Sequence, residues 1–388
     1  MSKLLIAHGG GPTAVINASL YGAVQEALKS GKADAVWGAV HGSAGILNEE
    51  FVDLGALPEE TLQKMCNAPA SAIGTSRTPL YEKEYARMAE VLQRHDIGYV
   101  LFTGGNGSMD TCGRLNAACK GTGIVVGGIP KTVDNDIGVT DHAPGYASAA
   151  KFAAQTMLEI AEDVASMPIH VCIVEYMGRN TGWITAATAL ARGKEGSAPD
   201  LILLPEAPFN KEVFLNRVKE LWARGRGVVV AVSEGLCYED GTPVAPPVFK
   251  TERATYFGDV SGELVHMVIE NLGVKARSEK AGILGRACPE LVSPIDREEA
   301  IRLGALAART VLEGKAGFMP GLKRISSNPY QVEEILIPVE QVMMNERLFP
   351  KEFIADNGMD VTPAFVEWAQ PLVGELTRYV DLRTANRP

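Results

Sequence analysis

The chain has 388 residues, 46% hydrophobic and 22% charged, a globular balance that argues against disorder and a length that asks for two lobes. Its formal net charge is −10 with no run of Lys or Arg, which argues against a nucleic-acid partner but leaves room for a small anion held by local arginines. The apolar part of the N-terminus is too short for a secretory signal and no stretch approaches a membrane span, so the expectation is a soluble, cytoplasmic protein without membrane contacts.

Residues 3–7 form an apolar strand pattern, followed by His-Gly-Gly-Gly-Pro-Thr and a helix predicted from about Ala14 to Ser30, with Pro12 suited to its first turn. Strand, glycine loop and helix in succession is the unit of a parallel α/β fold. A strand is predicted near Ala35–Val40, and a short helix starts at Leu57–Glu59. The small-residue loop 72–77 presents Arg77. Helix Glu82–Arg94 leads into strand 98–103, and strand Gly123–Gly127 ends in the loop Pro130–Asp136. After Asp141 the pattern restarts with helix Gly145–Ala165 and strand His170–Val174. The run Glu-Tyr-Met-Gly-Arg-Asn-Thr-Gly-Trp then enters a helix ending near Arg192. Strand Leu201–Leu204, helix Lys211–Arg224 and strand Gly227–Val232 follow, the last ending in Ser-Glu-Gly. The restart puts a boundary near residues 142–146. Residues 237–260, with three prolines and no periodicity, read as a loop. Helix Ser261–Leu272, strand Ala281–Leu284 and helix Arg297–Leu312 come next, and beyond Gly317 only Glu334–Pro338 is strand-like. The cysteines (Cys66, Cys112, Cys119, Cys172, Cys237, Cys288) form no CxxC pair and read as free thiols.

Two stretches carry the chemistry. In the first, Gly104-Gly105-Asn106-Gly107-Ser108 follows an apolar strand, where free amides and a helix N-terminus converge and favour phosphate. It is neither a G-x-G-x-x-G fingerprint nor a P-loop, and glycine turns also close such junctions without a ligand. The second stretch supplies Lys131, Thr132, Asp134 and Asp136. A calcium loop starting at Asp134 needs an acid at its twelfth position, where Gly145 stands, so that reading fails; a solvated turn or helix cap is the plain alternative. Phosphoryl transfer to a sugar hydroxyl gives the two carboxylates separate tasks, one taking the proton and one binding a divalent ion. Spaced i, i+2 in an extended loop they can point the same way, with Lys131 and Thr132 meeting the moving group. Met177-Gly178-Arg179 stands at a strand end, where such a motif is more often structural, but Gly178 before it and the Gly/Trp helix entrance after it leave the Arg179 guanidinium free for phosphate. Glu234 ends another strand and suits sugar hydroxyls or a plain surface turn, while Arg277 and Arg286 flank a predicted strand and also fit ordinary surface positions.

Four marks in one order, Gly-Gly-Asn-Gly-Ser (104–108), Pro-Lys-Thr-Val-Asp-Asn-Asp (130–136), Met-Gly-Arg (177–179) and Ser-Glu-Gly (233–235), resemble the 6-phosphofructokinases, a superfamily using ATP or pyrophosphate. The resemblance runs from Gly9 through the Arg286 region. It implies an α/β fold of two Rossmann-like lobes with mainly parallel sheets and the active site in the cleft between them. The phosphoryl-donor lobe would be 1–142 plus about 285–335, and the sugar-phosphate lobe 143–284 plus part of 336–388. Gly11, Arg77, Gly104, Gly105, Gly107 and Ser108 would line the donor site. Asp134 would deprotonate the sugar 1-hydroxyl, Thr132 would contact the transferred group, and Lys131 and Arg179 would stabilise its charge. Asp136, aided by Asn106, would organise Mg²⁺. Thr132, Asp134, Met177, Gly178, Arg179, Glu234 and Arg286 would hold fructose 6-phosphate, with Arg277 contributed by a neighbouring subunit of a homo-oligomer, dimer or tetramer.

Three positions depart from the family pattern. His170 stands where many members carry an arginine that reaches the neighbour's sugar phosphate, Ile283 where bacterial ATP users commonly carry histidine, and Asn106 where aspartate is common. The donor signature is mixed. Pyrophosphate users typically carry aspartate at the position of Gly107 and lysine at that of Lys131, whereas common ATP users carry glycine at both. An aspartate at 107 would set a carboxylate where the α-phosphate of ATP sits, and glycine removes that clash. The expected donor is therefore ATP, in a glycolytic reaction giving fructose 1,6-bisphosphate. Pyrophosphate is the alternative, and a non-catalytic sugar-phosphate-binding member is the second. Related kinases acting on NAD or a lipid lack the Met-Gly-Arg and Ser-Glu-Gly positions, and a dehydrogenase of this fold class needs a nicotinamide fingerprint that the chain lacks.

Overall fold

Apolar runs without alternation ask for strands covered on both faces, and a computed structural model, describing residues 2–193, 197–250 and 255–380, places them in two sheets. Parts of the predicted loop 237–260 (251–254) and of the predicted second-lobe tail (381–388) lie outside the described residues. The first sheet holds β1 (Ser2–His8), β2 (Ala33–Ala39), β3 (Phe51–Asp53), β4 (Ile97–Gly104) and β5 (Val125–Pro130), side by side in the order β3-β2-β1-β4-β5. All pairs are parallel except β2 with β3. Helices α1 (Ile16–Ser30), α2 (Ser43–Asn48), α3 (Glu59–Cys66), α4 (Glu82–Arg94) and α5 (Asn106–Ala118) accompany it. Successive residues feed opposite faces: Leu4, Ile6 and Leu101 meet Leu20 and Val24 of α1, while Leu5, Val100 and Phe102 meet Met88 of α4 and Met109 of α5.

After α6 (Tyr146–Ser166) the second sheet begins with β6 (Val171–Tyr176), then α7 (Trp183–Ala187), β7 (Leu201–Leu203), α8 (Lys211–Trp222) and β8 (Val228–Ser233). The segment expected to be loop contains an antiparallel pair, β9 (Pro247–Lys250) and β10 (Thr255–Phe257). Helix α9 (Val260–Leu272) leads to β11 (Ala276–Lys280), which completes an all-parallel sheet in the order β11-β6-β8-β7. The expected strand at Ala281–Leu284 is corrected: the strand lies just before it, and Gly282–Arg286 form a 3-10 turn with Ile283 and Leu284 exposed. Ala-Arg-Ser-Glu-Lys is a polar edge strand, so the apolar pattern pointed one step too far.

Helix α10 (Pro294–Leu312) begins three residues before its expected start because Pro294 fills its first turn and the Ser293 hydroxyl accepts from the Asp296 N–H (3.4 Å). It returns the chain to the first sheet and crosses α1 closely: a Cβ at Gly22 would lie 2.0 Å from the Ile301 carbonyl oxygen, and one at Gly304 would lie 2.1 Å from that of Ser19. The hairpin β12 (Phe318–Ser327) and β13 (Tyr330–Pro338) follows, then α11 (Pro363–Val373). The aromatics of this last segment converge on Trp183, with Phe349 4.8 Å and Trp368 5.0 Å from its ring; such pairs add about 0.5–1.5 kcal/mol each beyond burial. The cysteines are all free, and no helix among the described residues is long and apolar enough to cross a membrane.

Each sheet has a point where the connections leave in opposite directions. In the first it lies between β1 and β4, in the second between β6 and β8. Loops at the carboxyl ends of such neighbouring strands form the crevice where parallel α/β sheets bind ligands. The glycine loops 9–11 and 104–108 stand at the first, and Met177–Arg179 and Ser233–Gly235 at the second.

Candidate functional site

The loops of the first crevice line a cavity of about 760 Å³, walled by Gly9, Gly10, Gly11, Arg77, Gly105, Asn106, Gly107, Ser108, Lys131, Thr132, Asp134 and Asp136. Gly104 lies buried beneath, where a Cβ would come 2.0 Å from the Ser108 hydroxyl oxygen, so this turn closes only around glycine. Residue 107 is different: nothing lies within 4 Å of a Cβ built there, and the position faces open space.

Lys131 leaves β5 and stretches over the first glycine loop, its Nζ donating to the Gly11 carbonyl at 2.5 Å. Burial lowers its pKa to about 8, against the pull of the Asp134 and Asp136 carboxylates. Asp134 is pushed up to about 7, by burial first and then by the Asp136 and Glu234 charges. Its N–H donates to the Thr132 hydroxyl (3.1 Å), which in turn donates to Asp136 Oδ1 (2.8 Å). The loop is not extended as expected, since Asn135 is left-handed at φ 51°, yet both carboxylates still line the cavity. Asn106 Nδ2 donates to the other Asp136 oxygen (3.2 Å) and to the Asp136 carbonyl (3.1 Å), leaving Asn106 Oδ1 buried without a partner. Among the described residues no group of three or more His, Cys, Asp or Glu side chains could hold a metal. One carboxylate beside an orphaned amide oxygen does fit Mg²⁺ arriving with phosphates and water as its other ligands.

At the second crevice Gly178 has φ 129°, and a Cβ there would lie 2.3 Å from the Thr181 carbonyl oxygen. That conformation is open to glycine alone and turns Arg179 outward, where its guanidinium lies over Phe257 at 5.8 Å. Glu234 Oε1 accepts from the Gly178 N–H (3.3 Å), and the Ser233 hydroxyl donates to the Gly178 carbonyl, so the two loops brace each other. The crevices meet where the Thr181 hydroxyl donates to the Asp134 carbonyl at 3.0 Å.

Arg286 reaches the first glycine loop: a Cβ at Gly11 would stand 2.6 Å from its Nη1, and its Nε is buried without a partner. Met177 is half-buried at the end of β6. Arg277 is not brought in. It lies on the edge strand β11 opposite Cys172, roughly 15 Å along the strand from Met177, and pairs with Glu279 at 3.1 Å. His170 sits at that same far end, buried, its pKa lowered by burial and then by Arg277; Ile283 is exposed.

Several further cavity residues carry no marked signal in the sequence. His8, fully buried, lines the floor. The Ser71 hydroxyl donates to the Gly74 carbonyl (2.8 Å) and so accepts from His8 Nδ1 (2.7 Å), leaving Nε2 as the bare, unpartnered nitrogen. Burial and then the Lys131 charge push His8 down to about 3, so it is neutral. Met344 and Glu346 form a wall from the far end of the chain, where no local pattern marks them.

A family model described as Phosphofructokinase matches residues 3–311. The chain is 37% identical over 384 residues to the pyrophosphate–fructose 6-phosphate 1-phosphotransferase of Rhodospirillum rubrum, spanning 96% of this chain and 94% of that one. It is 35% identical over 380 residues to the protein of the same name from Halomonas elongata, spanning 95% and 90%. A crystal structure of a pyrophosphate-dependent phosphofructokinase from Marinobacter aquaeolei superposes with a TM-score of 0.87 at 35% identity, covering 98% of this chain and 94% of that one.

These relatives overturn the expectation of ATP as donor, since near full-length matches carry names for pyrophosphate. The physical reason lies in the two donor positions. Gly107 faces open space, so its small size excludes neither donor, whereas Lys131 is a buried cation committed to the cavity.

Proposed function

The chain belongs to the phosphofructokinase family, and on that footing we propose that it moves a phosphoryl group from pyrophosphate to the 1-hydroxyl of fructose 6-phosphate, giving fructose 1,6-bisphosphate and phosphate. The observation that carries the donor is the name shared by near full-length relatives; Lys131 in the cleft is its chemical counterpart.

In this reading pyrophosphate lies across the Gly9–Gly11 and Gly105–Ser108 loops, with Arg77 and Lys131 meeting its charge. Asp134, held near pH 7, takes the proton of the 1-hydroxyl as that oxygen bonds to the terminal phosphorus. The bond from phosphorus to the bridging oxygen breaks, and phosphate leaves. Thr132 and Arg179 meet the transferred group, whose charge spreads over its outer oxygens. Asp136 and Asn106 would hold Mg²⁺, which neutralises charge on the paired phosphates when bound. Met177, Gly178, Glu234 and Arg286 line the acceptor side. Arg277, far from this cleft, suits the cleft of a second copy, which makes a homo-oligomer part of the proposal. Assays of the purified enzyme with each donor against fructose 6-phosphate test it.

A further inference from the structure

The family match ends at residue 311, yet Met344 and Glu346 line one wall of the cleft. Glu346 bridges Ile137 through the backbone, and both its carboxylate oxygens accept from Asn180 Nδ2, at 3.1 and 2.9 Å. The Arg347 N–H donates to the Asp136 carbonyl at 2.8 Å. Its half-buried guanidinium donates to the carbonyls of Thr140 (2.9 Å) and Asp141 and lies over the Trp183 ring at 4.6 Å. Two residues on, the Phe349 N–H shares Glu206 Oε1 with the Gly182 N–H, each at 3.0 Å.

These contacts converge on two loops. One, 136–141, carries Asp136 and continues from Asp134; the other, 180–183, continues from Arg179. They spring from different sheets, and transfer needs the proton acceptor of one and the guanidinium of the other at a fixed separation. A misplacement of about 1 Å costs on the order of 10²-fold in rate. We propose that Glu346 and Arg347 are positioning residues, a strap from outside the family match that sets the spacing of the Asp134–Asp136 loop and the Arg179 loop. The proposal rests on the phosphoryl-transfer reading of the cleft. Glu346 and Asn180 are both exposed, so their hydrogen bonds contribute little to stability and their effect falls on alignment.

The test uses the full chain with Glu346→Ala, Asn180→Ala and both together, read by steady-state rates with pyrophosphate and by hydrogen exchange. Each single change is expected to lower kcat about tenfold with KM moved less than about threefold, and the double change to cost no more than either. Exchange in residues 177–183 rises while Tm stays within about 2 °C. Glu346→Gln, whose amide oxygen still accepts from Asn180, recovers most of kcat. Wild-type kcat in both single variants, additive losses, or unchanged exchange overturns the strap. Exchange is read without turnover, so an unmodified enzyme inactive with pyrophosphate overturns the donor assignment while the strap is still decided by the exchange arm.

Discussion

The ammonium of Lys131 lies 2.5 Å from the carbonyl oxygen of Gly11, joining the end of β5 to the loop behind β1 across the crevice. A cation stretched over a glycine loop has its remaining N–H groups free for an anion in the cavity. Lys131→Met keeps the length and removes the charge. In the proposed reaction it lowers kcat/KM for pyrophosphate on the order of 10²–10³-fold, measured as initial rates at saturating fructose 6-phosphate. An unaltered value removes Lys131 from donor binding.

The pH profile follows from two groups. In the proposed reaction Asp134, near 7, must be ionised to accept a proton, so rate is lost as pH falls below 7; Lys131, near 8, must be protonated to hold the donor, so rate is lost as pH rises above 8. The expected kcat/KM profile is a narrow bell whose limbs report the pair as a coupled unit. Lys131→Met flattens the alkaline limb.

Asp134→Asn keeps size and polarity and removes the proposed proton acceptor. Its kcat drops on the order of 10²–10⁴-fold. Calorimetric titration with fructose 6-phosphate still shows binding in this variant, which separates lost chemistry from a lost site.

Gly178→Ala forces a side chain into φ 129° and against the Thr181 carbonyl. The strain, about 1–3 kcal/mol, lowers Tm and swings Arg179 away, so kcat falls with it. Thermal melts and rates on one preparation check both.

A buried network behind the cleft gives a stability prediction. Burial alone would lower the pKa of His142, but hydrogen bonds to Asp141 (2.8 Å) and Glu299 (2.6 Å) win and raise it from 6.5 to about 9. The folded state therefore binds this proton more tightly. Its stabilisation is complete below pH 6.5 and lost as pH rises through about 9. Melts from pH 6.5 to 9.5 show a decline in Tm that His142→Asn flattens.

What the sequence made legible follows from local pattern. Buried parallel strands such as 98–103 and 228–232 announce themselves by apolar runs, and the two-lobe α/β architecture with mainly parallel sheets is what the chain adopts. The glycine loops 104–108 and 9–11, Lys131, Asp134 and Asp136 do gather at one cavity. Elements held by tertiary contacts were hidden. The edge strand Ala276–Lys280 is polar, and the Phe318–Ser327 strand alternates only in its outer half. Phe349 and Trp368 make no local pattern because the residue that gathers them, Trp183, stands far off in sequence. Glu346 is a plain surface acid in sequence, and only the fold sets it beside Asn180. The donor was not legible in sequence because a glycine at 107, facing open space, removes an obstacle to ATP without excluding pyrophosphate.

Donor identity is decided by one measurement: formation of fructose 1,6-bisphosphate from fructose 6-phosphate and Mg²⁺ with pyrophosphate or ATP as the only phosphoryl source. Pyrophosphate is expected to support turnover with kcat/KM at least about 10²-fold above that for ATP. Turnover with ATP and none with pyrophosphate contradicts it.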